Sequence, residues 1–146
     1  VADAGLGATP AAEVPDAVLL AACDPANPFG ALLPWPPARS PEARPRRSAG
    51  AAVVLVDGVA ALFLDRGGRQ VTSFTPAHDE PGALEAAAAA LRALLLDRRR
   101  ALRIERMDGA PALESPLRDA FLRAGFRADY KGLTLDRFAP PPDQRL

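Results

Sequence analysis

The sequence has little of the chemistry on which most small catalytic or disulfide-stapled domains depend. It holds one cysteine, Cys23, in 146 residues, so no internal disulfide framework ties the chain together. It holds one histidine, His78, which excludes a histidine-rich metal site. Lys131 is the single lysine against 17 arginines. Aromatic residues are 5% of the chain, with one tryptophan, Trp35, and one tyrosine, Tyr130. No apolar run approaches the roughly 20 residues that a membrane-spanning helix needs, so no membrane partner is expected. Neither sign of charge is in excess, because 18 basic residues balance 18 acidic ones. That balance excludes a uniformly basic nucleic-acid module and leaves room only for a local patch. The chain starts at Val1 without a signal-peptide pattern, and we expect it to be a piece of a longer protein.

Alanine, arginine and proline are abundant instead. Nine of the 16 prolines precede residue 49. Residues 1–48 therefore read as an extended Pro-rich arm and linker, in which Asp16 to Ala22 is a short apolar run suited to a helical turn or a strand. Phe29 and Trp35 lie in this arm, and we read them as pegs that anchor it to its own or a neighbouring domain, the interdomain anchor of the module. Pro41 to Ser48 is polar, locally basic and expected to be flexible.

From residue 49 to 138 the pattern is that of a folded domain, with 139–146 as a flexible tail. Ala51–Val56 and Val59–Leu64 are valine- and leucine-rich strands joined by Asp57-Gly58, a strong two-residue hairpin signal. Arg66-Gly67-Gly68-Arg69 turns the chain into a third strand, Gln70–Phe74. The first two strands are almost continuously apolar, so both of their faces should be covered. Glu80–Asp97 is expected to be a helix with Pro81 in its first turn, a stripe of Leu84, Ala88, Leu91 and Leu95, and five consecutive alanines. Leu102–Met107 alternates like a strand until the pattern slips at Arg106. Ser115-Pro116 opens a second helix and Gly125 closes it. Phe126–Asp129 and Gly132–Leu135 form a last hairpin or one bent strand. The fold class is α+β: a small curved antiparallel sheet, barrel-like, with two packed helices and the extended arm.

No motif specific for a reaction is present. Gly67-Gly68-Arg69 lacks the Lys-Ser/Thr of a phosphate-binding loop. A Cys23–His78 nucleophile pair has no support from spacing, and a bland, buried or half-buried cysteine is the commoner reading. His78, Asp79 and Glu80 are consecutive and seldom converge on one ion; His78 more simply caps the helix region. Metal ligands are accordingly none. Asp57 and Asp108 are turn residues. Asp136 and Asp143 are weak candidates for a catalytic carboxylate, where turn, surface or tail roles are commoner.

The arginines carry more information. Arg98, Arg99, Arg100, Arg103 and Arg106 crowd one corner, Arg66 and Arg69 flank a hairpin turn, and Arg127, Lys131 and Arg137 decorate the last strands. The guanidinium fork fits phosphate oxygens, so Arg66, Arg69, Arg98, Arg99, Arg100, Arg103 and Lys131 are the candidate contacts to a DNA backbone. The bland alternative is a solvated charged face.

Three stretches resemble a known family. "AACDPANPFGALLPWP" at 21–36, "AAVVLVDGVAALFLDRGGRQVTSF" at 51–74 and "RALRIERMDGAPALESPLRDAFLRAGFRADYKGLTLDR" at 100–137 are similar to the large helicase-related, or Lhr, family of bacterial DNA repair proteins. The resemblance spans about residues 15 to 138. It implies a parent that is a superfamily-2, ATP-dependent DNA helicase of the bacterial cytoplasm, with ATP and Mg2+ as cofactors of that parent and none in this chain. It implies a position in the C-terminal region, where winged helices and a β-barrel-like module are laid out as in glycosylases that remove damaged bases. The expected partners are those winged helices, DNA, and a second copy of the chain. The expected function is a non-catalytic DNA-contacting and scaffolding module. The alternatives are part of a DNA glycosylase, with Asp136 or Asp143 to test, and an oligomerisation module without DNA contact.

Overall fold

A computed structural model describes residues 15–96 and 101–136. The strands form a main sheet of six and a second sheet of three. The strands of the main sheet are β1 Ala17–Ala21, β2 Ala52–Val56, β3 Val59–Leu64, β4 Gln70–Ser73, β6 Arg106–Met107 and β7 Ala110–Pro111. The second sheet comprises β5 Ala101–Ile104, β8 Arg127–Ala128 and β9 Leu133–Asp136. Three α-helices accompany them: α1 Thr75–His78, α2 Ala83–Ala90 and α3 Arg118–Arg123. The class is α+β, as expected, but the sheet is open and not closed into a barrel.

The hairpins follow from local backbone chemistry. Asp57 and Gly58 have φ of 50° and 85°, and Asp108 and Gly109 have 52° and 84°. Both pairs have the two positive φ values that a type I′ turn demands, and that turn matches the twist of the strands it joins. Asp57–Gly58 thus joins β2 to β3, and Asp108–Gly109 joins β6 to β7. β1 extends the sheet at its edge, paired antiparallel with β2 from Ala17↔Val56 to Ala21↔Ala52. The short apolar run of the arm is therefore a strand.

Both faces of the sheet are covered, as the apolar runs require. Val54, Val56, Leu62 and Leu64 join the larger core with Leu91, Leu95, Phe121 and Phe126 from the helical side. Val53 and Phe63 point the other way and meet Phe29, Phe74 and Trp35. The Trp35 ring lies 5.8 Å from Phe74, stacked, and 5.7 Å from Phe63, edge-on. The polar stretch 41–48, expected to be flexible, is tied down at its end. The Arg47 guanidinium donates to the carbonyls of Asn27, Phe29 and Asp24. Cys23, expected to be buried or half-buried, is exposed, because Ala22 takes the inward position and the chain turns directly after it.

Three elements differ from the sequence expectation; α3 starts at Arg118 behind Leu117 with no side-chain cap, and not at Ser115-Pro116. The helix starts at Ala83 instead of Glu80, because Gly82 has φ of 78° and breaks the helical path after Pro81. Its winding then tightens into a 3-10 turn over Leu91–Leu96. The strand expected over 102–107 divides at Glu105. β5 pairs with β9, whereas β6 pairs in parallel with β4 at Gln70↔Arg106 and Val71↔Met107. The slip in alternation at Arg106 marks the point where the chain changes sheet, and the parallel pair departs from the all-antiparallel expectation. α3 ends in a Schellman arrangement, with the Phe126 amide donating to the Phe121 carbonyl and that of Gly125 to Leu122.

Candidate nucleic-acid interface

The second sheet buries one face and shows the other to solvent. Leu102, Ile104, Leu133 and Leu135 point inward. By the period of two, Arg103 and Thr134 point outward. Register completes the row: Arg103 pairs with Thr134, and Thr134 pairs with Arg127. Two arginines thus flank a threonine across three strands, with Asp136 beside them on β9. Adjacent strands lie about 4.8 Å apart, which sets the two arginine backbones roughly 10 Å apart.

The loop from β8 to β9 stands at the end of this face. Its geometry is fixed by Asp129. One carboxylate oxygen accepts the amides of Lys131, at 2.8 Å, and Gly132, at 3.0 Å. The other accepts Arg103 at 3.1 Å. These amides and the Arg103 guanidinium hold the Asp129 carboxyl below its ordinary pKa, the Lys131 amide most strongly. Tyr130 is held out at the tip, 83% exposed, with the Lys131 ammonium 5.6 Å from its ring centroid.

The charges on this face are partly spent on each other. Arg103 pairs with Asp129, and Arg127 pairs with Asp136 at 3.4 Å. Both pairs are exposed to solvent and screened, so they add little to stability and yield readily to a competing phosphate. The Asp136 carboxylate lies on this open sheet face beside the Arg127 guanidinium.

The other expected contacts are dispersed. Arg69 and Arg66 are both exposed on the β3–β4 turn. The Arg69 carbonyl accepts the amides of Glu105 and Arg106, so this turn abuts the junction of β5 and β6. Arg69 faces Glu105 at 3.9 Å, and the Arg66 stem lies alongside Gly50. Arg106 donates to the carbonyl of Gly109 in its own hairpin. Arg98, Arg99, Arg100, Arg137 and Asp143 lie outside the described residues. Phe29 and Trp35 pack on the chain's own sheet, while Leu32 and Leu33 beside them are 88% and 48% exposed.

The remaining sequence candidates resolve into structural roles. The Asp65 carboxylate accepts the amides of Arg69 and Gln70 and its carbonyl accepts that of Gly68, so these three donors of the turn are engaged within the chain and point away from a phosphate-cradling role. His78 Nε2 lies 2.8 Å from Ser73 Oγ, which donates to Asp108 at 2.6 Å. Serine is the middle member of this chain and is wholly buried, so it cannot serve as a nucleophile with histidine as its base. Burial, and next Arg39, lower the His78 pKa from its ordinary value, against Asp108 and Asp79. A cleft of about 510 Å3 between the β2–β3 turn and the start of α2 has an apolar floor, with Asp57, Asp79 and Glu80 at its rim. That charge repels phosphate.

Thr134 and Tyr130 carry no motif. The Leu133/Leu135 alternation places Thr134 outward, but the row it completes depends on β5–β9–β8 register, which only long-range pairing decides.

No known family model matches the chain. Among curated proteins, an alignment 127 residues long that covers 82% of this chain is 45% identical to the "Lhr helicase/ probable uracil glycosylase" of Mycolicibacterium smegmatis (strain ATCC 700084 / mc(2)155). The chain belongs to the Lhr family. A further 34% identity over 116 residues, 80% of the chain, links it to the "Lhr helicase/uracil glycosylase" of Escherichia coli (strain K12). The chain spans 8% and 7% of these two relatives, so it corresponds to one small module of the Lhr architecture. No described helix is long and apolar enough to cross a membrane.

Proposed function

We propose that this Lhr-family chain is a DNA-contacting and domain-scaffolding module, without chemistry of its own, of an ATP-dependent repair helicase. The observation that carries the reading is the outward row Arg103–Thr134–Arg127, with Lys131 on the adjoining loop. Guanidinium, hydroxyl and ammonium donors on one open sheet face suit a phosphate backbone, and they position DNA without reading its sequence. The arm's exposed Leu32 and Leu33 suit a contact to neighbouring winged helices of the parent. ATP and Mg2+ would serve the parent's motor domains.

The test is fluorescence anisotropy with labelled oligonucleotides at low salt. A combined Arg103→Ala, Arg127→Ala and Lys131→Ala variant should bind about tenfold more weakly or worse. Equal affinity of variant and parent chain would refute the assignment of this face.

The names of both relatives favour a second reading, participation in uracil excision. A base-excising site needs a pocket for a flipped base and a carboxylate or water-orienting group within it. Incubation of the chain with uracil-containing oligonucleotides, followed by scoring of abasic sites, separates the readings. Abasic sites at uracil that vanish in Asp136→Asn would replace the scaffolding proposal with a catalytic one.

A further inference from the structure

We propose that Tyr130 is a base-stacking residue that makes this module prefer single-stranded DNA over intact duplex. The inference rests on the reading of the β5–β9–β8 face as a DNA contact and adds the state of the DNA that it accepts. The ring is 83% exposed, so the fold does not need it for burial. An aromatic side chain left in water costs the free protein apolar hydration, and here it is held out by a braced loop. Asp129 accepts the amides of both Lys131 and Gly132, and the Gly132 carbonyl accepts the Asp129 amide at 2.8 Å, so the tip is closed by three hydrogen bonds. The approach of Gly132 to β5 fixes the loop further, since a Cβ there would meet the Ile104 carbonyl oxygen at 2.1 Å. The ring is therefore presented in advance, and stacking on it pays little ordering entropy.

The cations stand where a strand leaving that base would pass. Lys131 is the next residue and lies over the ring. Arg103 shares the Asp129 carboxylate with the loop, which places its guanidinium at the base of the tip. Arg127 continues the row on the far side of Thr134. A ring for one base and cations for flanking phosphates is the combination by which small sheet modules hold single strands. A paired base in an intact duplex has both faces covered by its neighbours, so it offers the tyrosine nothing.

The experiment compares the whole chain with Tyr130→Ala and Tyr130→Phe, by anisotropy, on a labelled oligothymidylate and on a blunt duplex, with far-UV circular dichroism confirming the fold. Tyr130→Ala is expected to weaken single-strand binding by about 5- to 150-fold, the range that one base–aromatic stack supplies. Tyr130→Phe keeps the affinity, and duplex binding is unchanged in both. If Tyr130→Ala binds the single strand normally while the Arg103, Arg127 and Lys131 variant loses it, stacking is overturned and the DNA face stands. If Tyr130→Phe is as weak as Tyr130→Ala, the hydroxyl and not the ring makes the contact, and stacking is again overturned. If the unaltered chain binds neither DNA, the proposed function fails and takes this inference with it.

Discussion

Gly132 and Gly67 show how two glycines without a left-handed backbone can differ completely in what they tolerate. At Gly132 a Cβ would lie 2.1 Å from the carbonyl oxygen of Ile104, the last paired residue of β5, and 3.2 Å from the Cα of Glu105 at the junction that follows. Neither can retreat without opening the β5–β9 pairing. Gly132→Ala should cost at least about 2 kcal/mol in urea unfolding. At Gly67 the nearest atom is an Asp65 carboxylate oxygen at 3.8 Å, so Gly67→Ala should be neutral or stabilising by up to about 1 kcal/mol. Equal losses at both sites would show that loop entropy, and not collision, governs. His78 gives the second prediction at this scale. Its pKa is lowered in the fold, chiefly by burial and next by Arg39, so the folded state binds a proton less readily than the unfolded chain does. Above the ordinary value of 6.5 both states are neutral, and the stability contribution is complete. As pH falls below 6.5 the unfolded state takes up the proton first, and stability declines until the folded-state value is passed. Stability should therefore drop on going from about pH 7 to pH 5. His78→Gln should flatten that part of the profile, because a glutamine has no proton to gain in this window. A profile of unchanged slope would assign the loss to other groups.

At the scale of elements, the Pro-rich arm behaves as a wall of the domain. Trp35 stacks on Phe74 and meets Phe63 edge-on, and the Ala38↔Phe74 bridge and the Arg39-to-Ser73 hydrogen bond of 2.9 Å fasten the end of the arm to β4. Trp35 is the single tryptophan, so its emission reports on this docking alone. Its urea transition should coincide with that of far-UV circular dichroism, and Trp35→Ala should cost about 2–3 kcal/mol, somewhat under the range for a fully buried ring. An emission transition at lower urea would mean that the arm detaches before the sheet melts. The arm also shows which features were readable in the sequence. The type I′ turns at Asp57-Gly58 and Asp108-Gly109 were legible because two adjacent residues determine them. The double coverage of β2 and β3 was legible because neither strand has a polar face. The start of α2 was misplaced because Pro81 suits a first helical turn equally well, and only the dihedral of Gly82 excludes it. The parallel pairing of β4 with β6 was not legible, since it joins residues far apart in sequence through two short stretches. The same holds for the interface. Arg103 and Lys131 could be named from composition, whereas the row through Thr134 to Arg127 exists only once β9 lies between β5 and β8.

At the scale of the molecule, neutrality decides how DNA binding should respond to salt. Eighteen positive charges balance 18 negative ones, and acidic partners stand beside the arginines of the outer face. On the proposed reading, association would not be driven by a general positive field. It would draw on a few local cations that exchange a carboxylate for a phosphate. With Arg103, Arg127 and Lys131 engaged, about three counterions leave a single strand. The plot of log affinity against log salt should then have a slope of about −2, far shallower than that of a basic DNA-binding domain. Removing Arg103 and Arg127 together should bring the slope to about −0.7, because each phosphate contact contributes about 0.7. Tyr130→Ala should instead lower affinity by the same factor at every salt concentration, since a stacked base releases no counterion. A steep slope in the unaltered chain, or a slope that changes with Tyr130 and not with the arginines, would place the DNA on a different surface. The acidic rim at Asp57, Asp79 and Glu80 makes that cleft the least favourable surface to receive it.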